Sequence, residues 1–101
     1  MKYYLIGIKG AGMSALALLL SDLGYEVVGY DDASEYRFTE ERLIERGISI
    51  YNGPNDALDK DTIVVRSPAI RDDHPEMQKV FELDLRHYAY HEMLGRLSKK
   101  Y

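Results

Sequence analysis

The sequence has no cysteine and no tryptophan. Without thiols there is no disulfide framework, no thiolate metal site and no cysteine nucleophile. A basic excess is also missing. Thirteen Lys and Arg stand against seventeen Asp and Glu, a formal net charge of −4. That sign is wrong for the electrostatic footprint of a nucleic-acid binder. Long apolar runs are absent too. The cleanest one, Ala15 to Leu20, falls far short of the ~20 residues that cross a bilayer. Met1-Lys2 before an apolar stretch has the outline of a signal peptide, but Gly7, Gly10 and Gly12 interrupt that stretch and Lys9 charges its middle. The expectation is a soluble, cytoplasmic protein that engages neither membrane nor nucleic acid. There is no internal repeat and no Pro/Ser-rich linker, and 101 residues make one domain. Hydrophobic residues at 46% and charged residues at 30% are ordinary for a folded globule.

Strand and helix signals alternate along this chain. Tyr3 to Ile8 reads as a strand without polar alternation, which suits a parallel sheet covered on both faces. A helix from about Gly12 to Leu23 follows, stopped by Gly24. Glu26–Tyr30 is a second strand, Glu40 to Arg46 a helix that Thr39 can cap, and Ile48 to Tyr51 a third strand. Thr62 to Arg66 is a fourth strand, and Pro75 opens a helix to about Glu82. Leu85 to Tyr88 reads as a fifth strand and Tyr90 to Lys99 as a last helix. The alternation predicts an α/β fold: a Rossmann-like, three-layer α/β/α arrangement around a five-stranded parallel sheet of order 3-2-1-4-5.

The strongest local pattern is Gly7-Ile8-Lys9-Gly10-Ala11-Gly12-Met13-Ser14, between the first strand and the first helix. Glycines there let the backbone turn and approach a ligand. The helix beyond offers free N–H groups and the positive end of a dipole. This chemistry seats a phosphate or diphosphate, with Lys9 as a positive charge at its rim or in water. Asp31 ends the second strand, 19 residues after Gly12, where an acid commonly meets a ribose. The dinucleotide fingerprint fits only in part: Gly7 and Gly12 match its outer glycines, but Lys9 stands at its third position. A nicotinamide-binding Rossmann domain and a ligand-less interaction module therefore stay open at this point.

Residues 7 to 17, Gly-Ile-Lys-Gly-Ala-Gly-Met-Ser-Ala-Leu-Ala, resemble the opening motif of the Mur ligases, most nearly the branch that adds L-alanine. Val28-Gly29-Tyr30-Asp31, Arg66-Ser67-Pro68-Ala69-Ile70, Asp73-His74-Pro75-Glu76 and Tyr90-His91-Glu92-Met93-Leu94 are similar to further motifs of that family, in order and spacing. The resemblance implies that residues 1–101 are the N-terminal domain that holds the UDP part of UDP-N-acetylmuramic acid. It implies that Gly10, Ala11, Gly12 and Met13 give backbone N–H groups to the diphosphate and that Ser14 adds a hydroxyl. Asp31 would meet the uridine, with Asp32 beside it, while Ser67, Pro68 and Ala69 line the cleft.

ATP and magnesium would belong to the full-length ligase, whose ATP-binding and amino-acid-binding domains are absent from this chain. No G-x-x-x-x-G-K-[ST] occurs in it, so the implied domain has no ligation activity alone. Lys9, Ala11, Pro68 and Pro54 depart from the family's usual residues, all on the expected ligand side.

Other features read as structure. Asp72-Asp73 suits a helix cap better than a metal site. His91-Glu92 lacks the second histidine of a zinc motif, since Gly95 stands there. His74 and His87 read as surface or packing residues, and Tyr88 and Tyr90 as packing. The first helix is apolar around most of its circumference, which suits contact with further domains or a homodimer.

Overall fold

The computed structural model describes residues 1–33 and 38–100. Its elements in chain order are β1 (Lys2–Ile6), α1 (Ala11–Asp22), β2 (Glu26–Tyr30), α2 (Thr39–Glu45), β3 (Ser49–Tyr51), β4 (Thr62–Arg66), α3 (Pro75–Glu82), β5 (Arg86–Ala89) and α4 (Tyr90–Lys100). The five strands form one parallel sheet in the order β3-β2-β1-β4-β5. Register aligns their C-terminal ends in a row: Tyr51 opposite Tyr30, Tyr30 opposite Ile6, Ile6 opposite Arg66, Arg66 opposite Ala89. The segments that follow the strands therefore leave from one edge.

Alternation along β1 divides the core. Tyr3 and Leu5 point to the face covered by α1, α2 and α4, where Leu16, Leu20, Leu43, Met93 and Leu97 are buried. Tyr4 and Ile6 point to the other face, under Met77 and Val80 of α3. That second face also holds a buried polar cluster. The Tyr4 hydroxyl hydrogen-bonds Glu76, Asn55 Nδ2 donates to the Tyr4 oxygen at 3.1 Å, and Lys79 pairs with Glu76 at 3.2 Å. Burial, then the Glu76 contact, pushes the Tyr4 phenol above its ordinary pKa.

Element ends differ from the sequence reading by a residue or two, each for a local reason. β1 stops at Ile6 because Gly7 takes φ +87, and the Gly7 and Ile8 N–H groups both turn to the Tyr30 carbonyl, at 2.8 and 3.1 Å. β5 starts at Arg86 because the Leu85 N–H closes the end of α3 by donating to the Val80 carbonyl. Asp84 takes the left-handed position there (φ 53), as Gly24 and Gly47 do after α1 and α2. α2 begins at Thr39, whose hydroxyl donates to the Lys9 carbonyl at 2.8 Å instead of capping the helix. α3 is capped by His74 rather than by Asp72 or Asp73: His74 Nδ1 accepts from the Glu76 N–H at 3.0 Å. No described helix is long and apolar enough to cross a membrane.

Candidate functional site

The chain leaves β1 at Gly7 and immediately meets the turn that follows β4. A Cβ built on Gly7 would lie 2.7 Å from the Ser67 Cβ. Ser67 donates its N–H to the Ile6 carbonyl at 2.9 Å, and its own carbonyl and Oγ accept from Ile70 and Ala69. Pro68 and Ala69 stand exposed on top of that turn. Gly7 and residues 67–69 are thus side by side at the boundary of β1 and β4. There the crossovers depart to opposite faces of the sheet, the place where open α/β sheets bind ligands.

Helix α1 starts at this boundary. Gly10 is its N-cap, with extended backbone and no side-chain cap, and its N–H, expected on the diphosphate, donates instead to the Gly7 carbonyl at 3.2 Å. The first amide that closes the helix is Ser14 N–H, to the Gly10 carbonyl at 2.8 Å. The N–H groups of Ala11, Gly12 and Met13 precede that bond, and none finds an acceptor among the described residues. No acidic residue occupies the first turn, so nothing there neutralises the positive end of the dipole. Ala11 and Gly12 are exposed, whereas the Met13 and Ser14 side chains are buried. The Ser14 hydroxyl donates to the Ala11 carbonyl at 3.0 Å. It serves the helix turn and is not a free donor at the mouth.

Lys9 is placed differently from both sequence expectations for it, a phosphate partner or a solvated side chain. It is only 6% exposed. Its ammonium lies 2.9 Å from Glu40 and donates to the Ala33 carbonyl at 2.7 Å. The carboxylate of α2 and the carbonyl after β2 draw it under the loop.

Asp31 holds the same loop from the other side. Its Oδ2 accepts the Lys9 N–H and its Oδ1 the Ala33 N–H, both at 2.9 Å. Asn52 donates to the carbonyls of Asp31 and Asp32 at 2.9 and 3.2 Å. Asp32 is a hydrogen-bond partner rather than a bystander: both its oxygens lie within 3.1 Å of His74 Nε2. Because His74 Nδ1 accepts from Glu76, this hydrogen-bond pattern puts the ring proton on Nε2, facing Asp32. Tyr30 packs edge-on against the His74 ring at 5.5 Å. Burial, then the Asp32 contact, raises the Tyr30 phenol to about 12.

A cleft of about 650 Å³ lies elsewhere, between Tyr3, Tyr25, Tyr88 and α4, and shares no residue with the loop.

A family model described as Mur ligase family, catalytic domain, matches residues 2–101. The chain belongs to the Mur ligase family. The UDP-N-acetylmuramate–L-alanine ligase of Lacticaseibacillus casei is 46% identical over 99 residues, and that of Lactiplantibacillus plantarum 43% identical over 97. These alignments take in 98% and 96% of this chain but 22% of either relative, so the chain spans about a fifth of their length. Among solved structures, the UDP-N-acetylmuramate-alanine ligase MurC of Thermotoga maritima matches with a TM-score of 0.86 at 29% identity, over 99% of this chain and 23% of that one. A murein peptide ligase from Psychrobacter arcticus matches with a TM-score of 0.76 at 28% identity, over 89% of this chain and 19% of that one.

Within this Mur ligase domain, the residues singled out by sequence do converge on one edge: Gly7 to Ser14, Asp31, Asp32 and Ser67 to Ala69 all sit there. Sequence reasoning missed four others. Thr39 and Glu40 anchor the loop through Lys9. His74 directly precedes a helix-opening proline, a cap position that could have been read as such. Tyr90, assigned to packing alone, lays its hydroxyl against Gly12: a Cβ built on Gly12 would lie 2.8 Å from it.

Proposed function

We propose that this chain is the UDP-binding domain of a UDP-N-acetylmuramate–L-alanine ligase, with UDP-N-acetylmuramic acid as its ligand. The observation that carries this reading is the row of acceptor-less N–H groups on Ala11, Gly12 and Met13, at an uncapped, acid-free helix start in the switch-point crevice. A diphosphate satisfies such donors directly and is favoured by the dipole. Gly10, where a Cβ would meet only the Gly7 carbonyl at 3.5 Å, lets the diphosphate approach. Asp31 keeps lone pairs for a ribose hydroxyl or a uracil N–H, and Ser67, Pro68 and Ala69 form the facing wall. The curated relatives named as L-alanine ligases support the choice of sugar nucleotide.

In the proposed whole ligase, ATP activates the sugar's carboxylate as an acyl phosphate, and the amine of L-alanine displaces the phosphate. That chemistry needs an ATP loop and magnesium. The residues here do not fit them: the sequence has no P-loop, and no group of three His, Asp or Glu among the described residues could hold a metal. This domain's part is to hold and orient the sugar nucleotide, with the ATP-binding and amino-acid-binding domains of the ligase as its partners and the cytoplasm as its setting. Alone, it is expected to bind and not to ligate.

Thermal unfolding with UDP-N-acetylmuramic acid, UDP and NADH tests the reading. A ligand present at about a hundred times its Kd adds ~2.7 kcal/mol. For a domain of this size that raises the midpoint by roughly 10 °C or more. The expected result is a rise with both uridine ligands and none with NADH. A rise with NADH alone, or with none of the three, contradicts it.

A further inference from the structure

Lys9 stands where the dinucleotide fingerprint has a glycine, yet the loop keeps its shape, because every polar group of this residue is anchored away from the ligand side. Its N–H donates to Asp31 at 2.9 Å and its carbonyl accepts from Thr39 at 2.8 Å. Its ammonium donates to the Ala33 carbonyl at 2.7 Å and pairs with Glu40 at 2.9 Å. The side chains of the pair are 7% and 14% exposed. Residue 9 therefore ties the loop after β1 to the segment after β2 and to the first turn of α2.

We propose that Lys9 and Glu40 form a buried latch that positions the N-terminus of α1 for diphosphate binding, with Lys9 acting through the loop backbone and not through its charge. The inference rests on the UDP-binding reading. Three considerations carry it. A buried ammonium that already has a carboxylate and a carbonyl within 2.9 Å gains little by leaving them for a hydrated phosphate. Gly10, next in the chain, has no side chain to hold its conformation, so the donors of residues 11–13 inherit their direction from residue 9. Ordering a loop before the ligand arrives removes that cost from the binding step, so affinity depends on the latch.

The latch and a direct Lys9–phosphate contact make opposite predictions for Glu40. If Lys9 touched phosphate, Glu40→Gln would release its ammonium and tighten binding. If the pair is a latch, Glu40→Gln weakens binding as Lys9→Met does. The experiment is calorimetric titration of UDP into the wild type, Lys9→Met, Glu40→Gln and the double variant, with thermal midpoints measured in parallel.

Each single variant is expected to lose about tenfold in affinity, because the loop must then order on binding. The double variant is expected to lose no more than either single one, since both remove the same device. Tighter binding by Glu40→Gln, or additive losses in the double variant, overturns the latch. So does unchanged affinity in both single variants, even if their midpoints fall, since that is the mark of a purely structural pair. A wild type that binds no UDP overturns the site reading and the latch with it, whereas a binding wild type with unchanged variants overturns the latch alone.

Discussion

Gly12→Val is expected to abolish UDP binding while the domain stays folded. Gly12 lies on the exposed side of the first turn of α1, and its N–H is the middle one of the three acceptor-less donors. A Cβ at this position would meet the Tyr90 hydroxyl at 2.8 Å and its ring carbon at 3.0 Å. Those atoms are the far end of the Tyr90 side chain, which packs partly buried against the core, so the ring must shift to admit the Cβ at some cost in stability. Valine is tolerated in a helix at a cost of under about 1 kcal/mol relative to alanine. The two γ-methyl groups would project into the approach to the donors and hold a diphosphate beyond hydrogen-bond distance. A loss of at least a hundredfold is the expected effect, about 2.7 kcal/mol by the affinity relation. Titration calorimetry gives the affinity and circular dichroism shows whether the fold persists. Unchanged affinity would remove the α1 N-terminus from the site.

Gly29→Val should do the reverse and damage the fold itself. Gly29 is the fourth residue of β2, buried between β1 and β3. A Cβ there would lie 2.3 Å from Ile8 Cδ1, 2.8 Å from Ile8 Cβ and 2.9 Å from Ile8 Cγ2. The end of the Ile8 side chain could swing aside, but its Cβ moves only with the loop backbone. Ile8 is fully buried, and its N–H is bonded to the Tyr30 carbonyl. Overpacking a tight core costs about 1–3 kcal/mol, occasionally more, and valine sits at the upper end here. In a domain of about 100 residues that lowers the melting midpoint by roughly 12 °C or more. Gly95→Ala is the matched control. Gly95 is exposed within α4 and a Cβ there meets nothing within 4 Å. Replacing a helix-interior glycine should raise stability by about 0.5–1 kcal/mol. Equal midpoints for Gly29→Val and wild type would show that Ile8 is not wedged against β2.

These two glycines illustrate what was legible in the sequence. The fold class, the nine elements found among the described residues and the strand order follow from alternating patterns and the right-handed crossover rule, and the structure has the same order. The element ends were legible only approximately. Gly7 and Thr39 each end or begin an element through a hydrogen bond to a residue distant in the sequence, and Leu85 delays β5 by closing α3 on the Val80 carbonyl. The position of the ligand edge was also legible, because a parallel sheet sends every post-strand segment to one side.

Side-chain direction at that edge was not legible. Lys9 reads as a rim charge because it is a cation in a phosphate-type loop. It turns inward because Glu40, 31 residues later, stands in the first turn of α2 within 2.9 Å of its ammonium. Ser14 reads as a free hydroxyl, but a helical serine can reach the carbonyl three residues back, and this one does. Asp32 reads as a neighbour of Asp31 at the uridine, but the start of α3 brings His74 within 2.9 Å of it. For Lys9 and Asp32 the partner is set by tertiary placement, which one-dimensional spacing does not encode, whereas the Ser14 partner is local to the helix turn.

The most direct single measurement is a titration of the isotope-labelled domain with UDP, followed through its backbone amide resonances by NMR. If the diphosphate sits on the start of α1, the amides of Ala11, Gly12 and Met13 acquire an acceptor and should shift furthest, with Asp31, Ser67 and Ala69 following. Residues of α4 that line the cleft with Tyr3, Tyr25 and Tyr88, such as Gly95, should stay still. Large shifts confined to α4 and the Tyr3–Tyr25–Tyr88 cleft, with the α1 amides unmoved, would contradict the diphosphate seat.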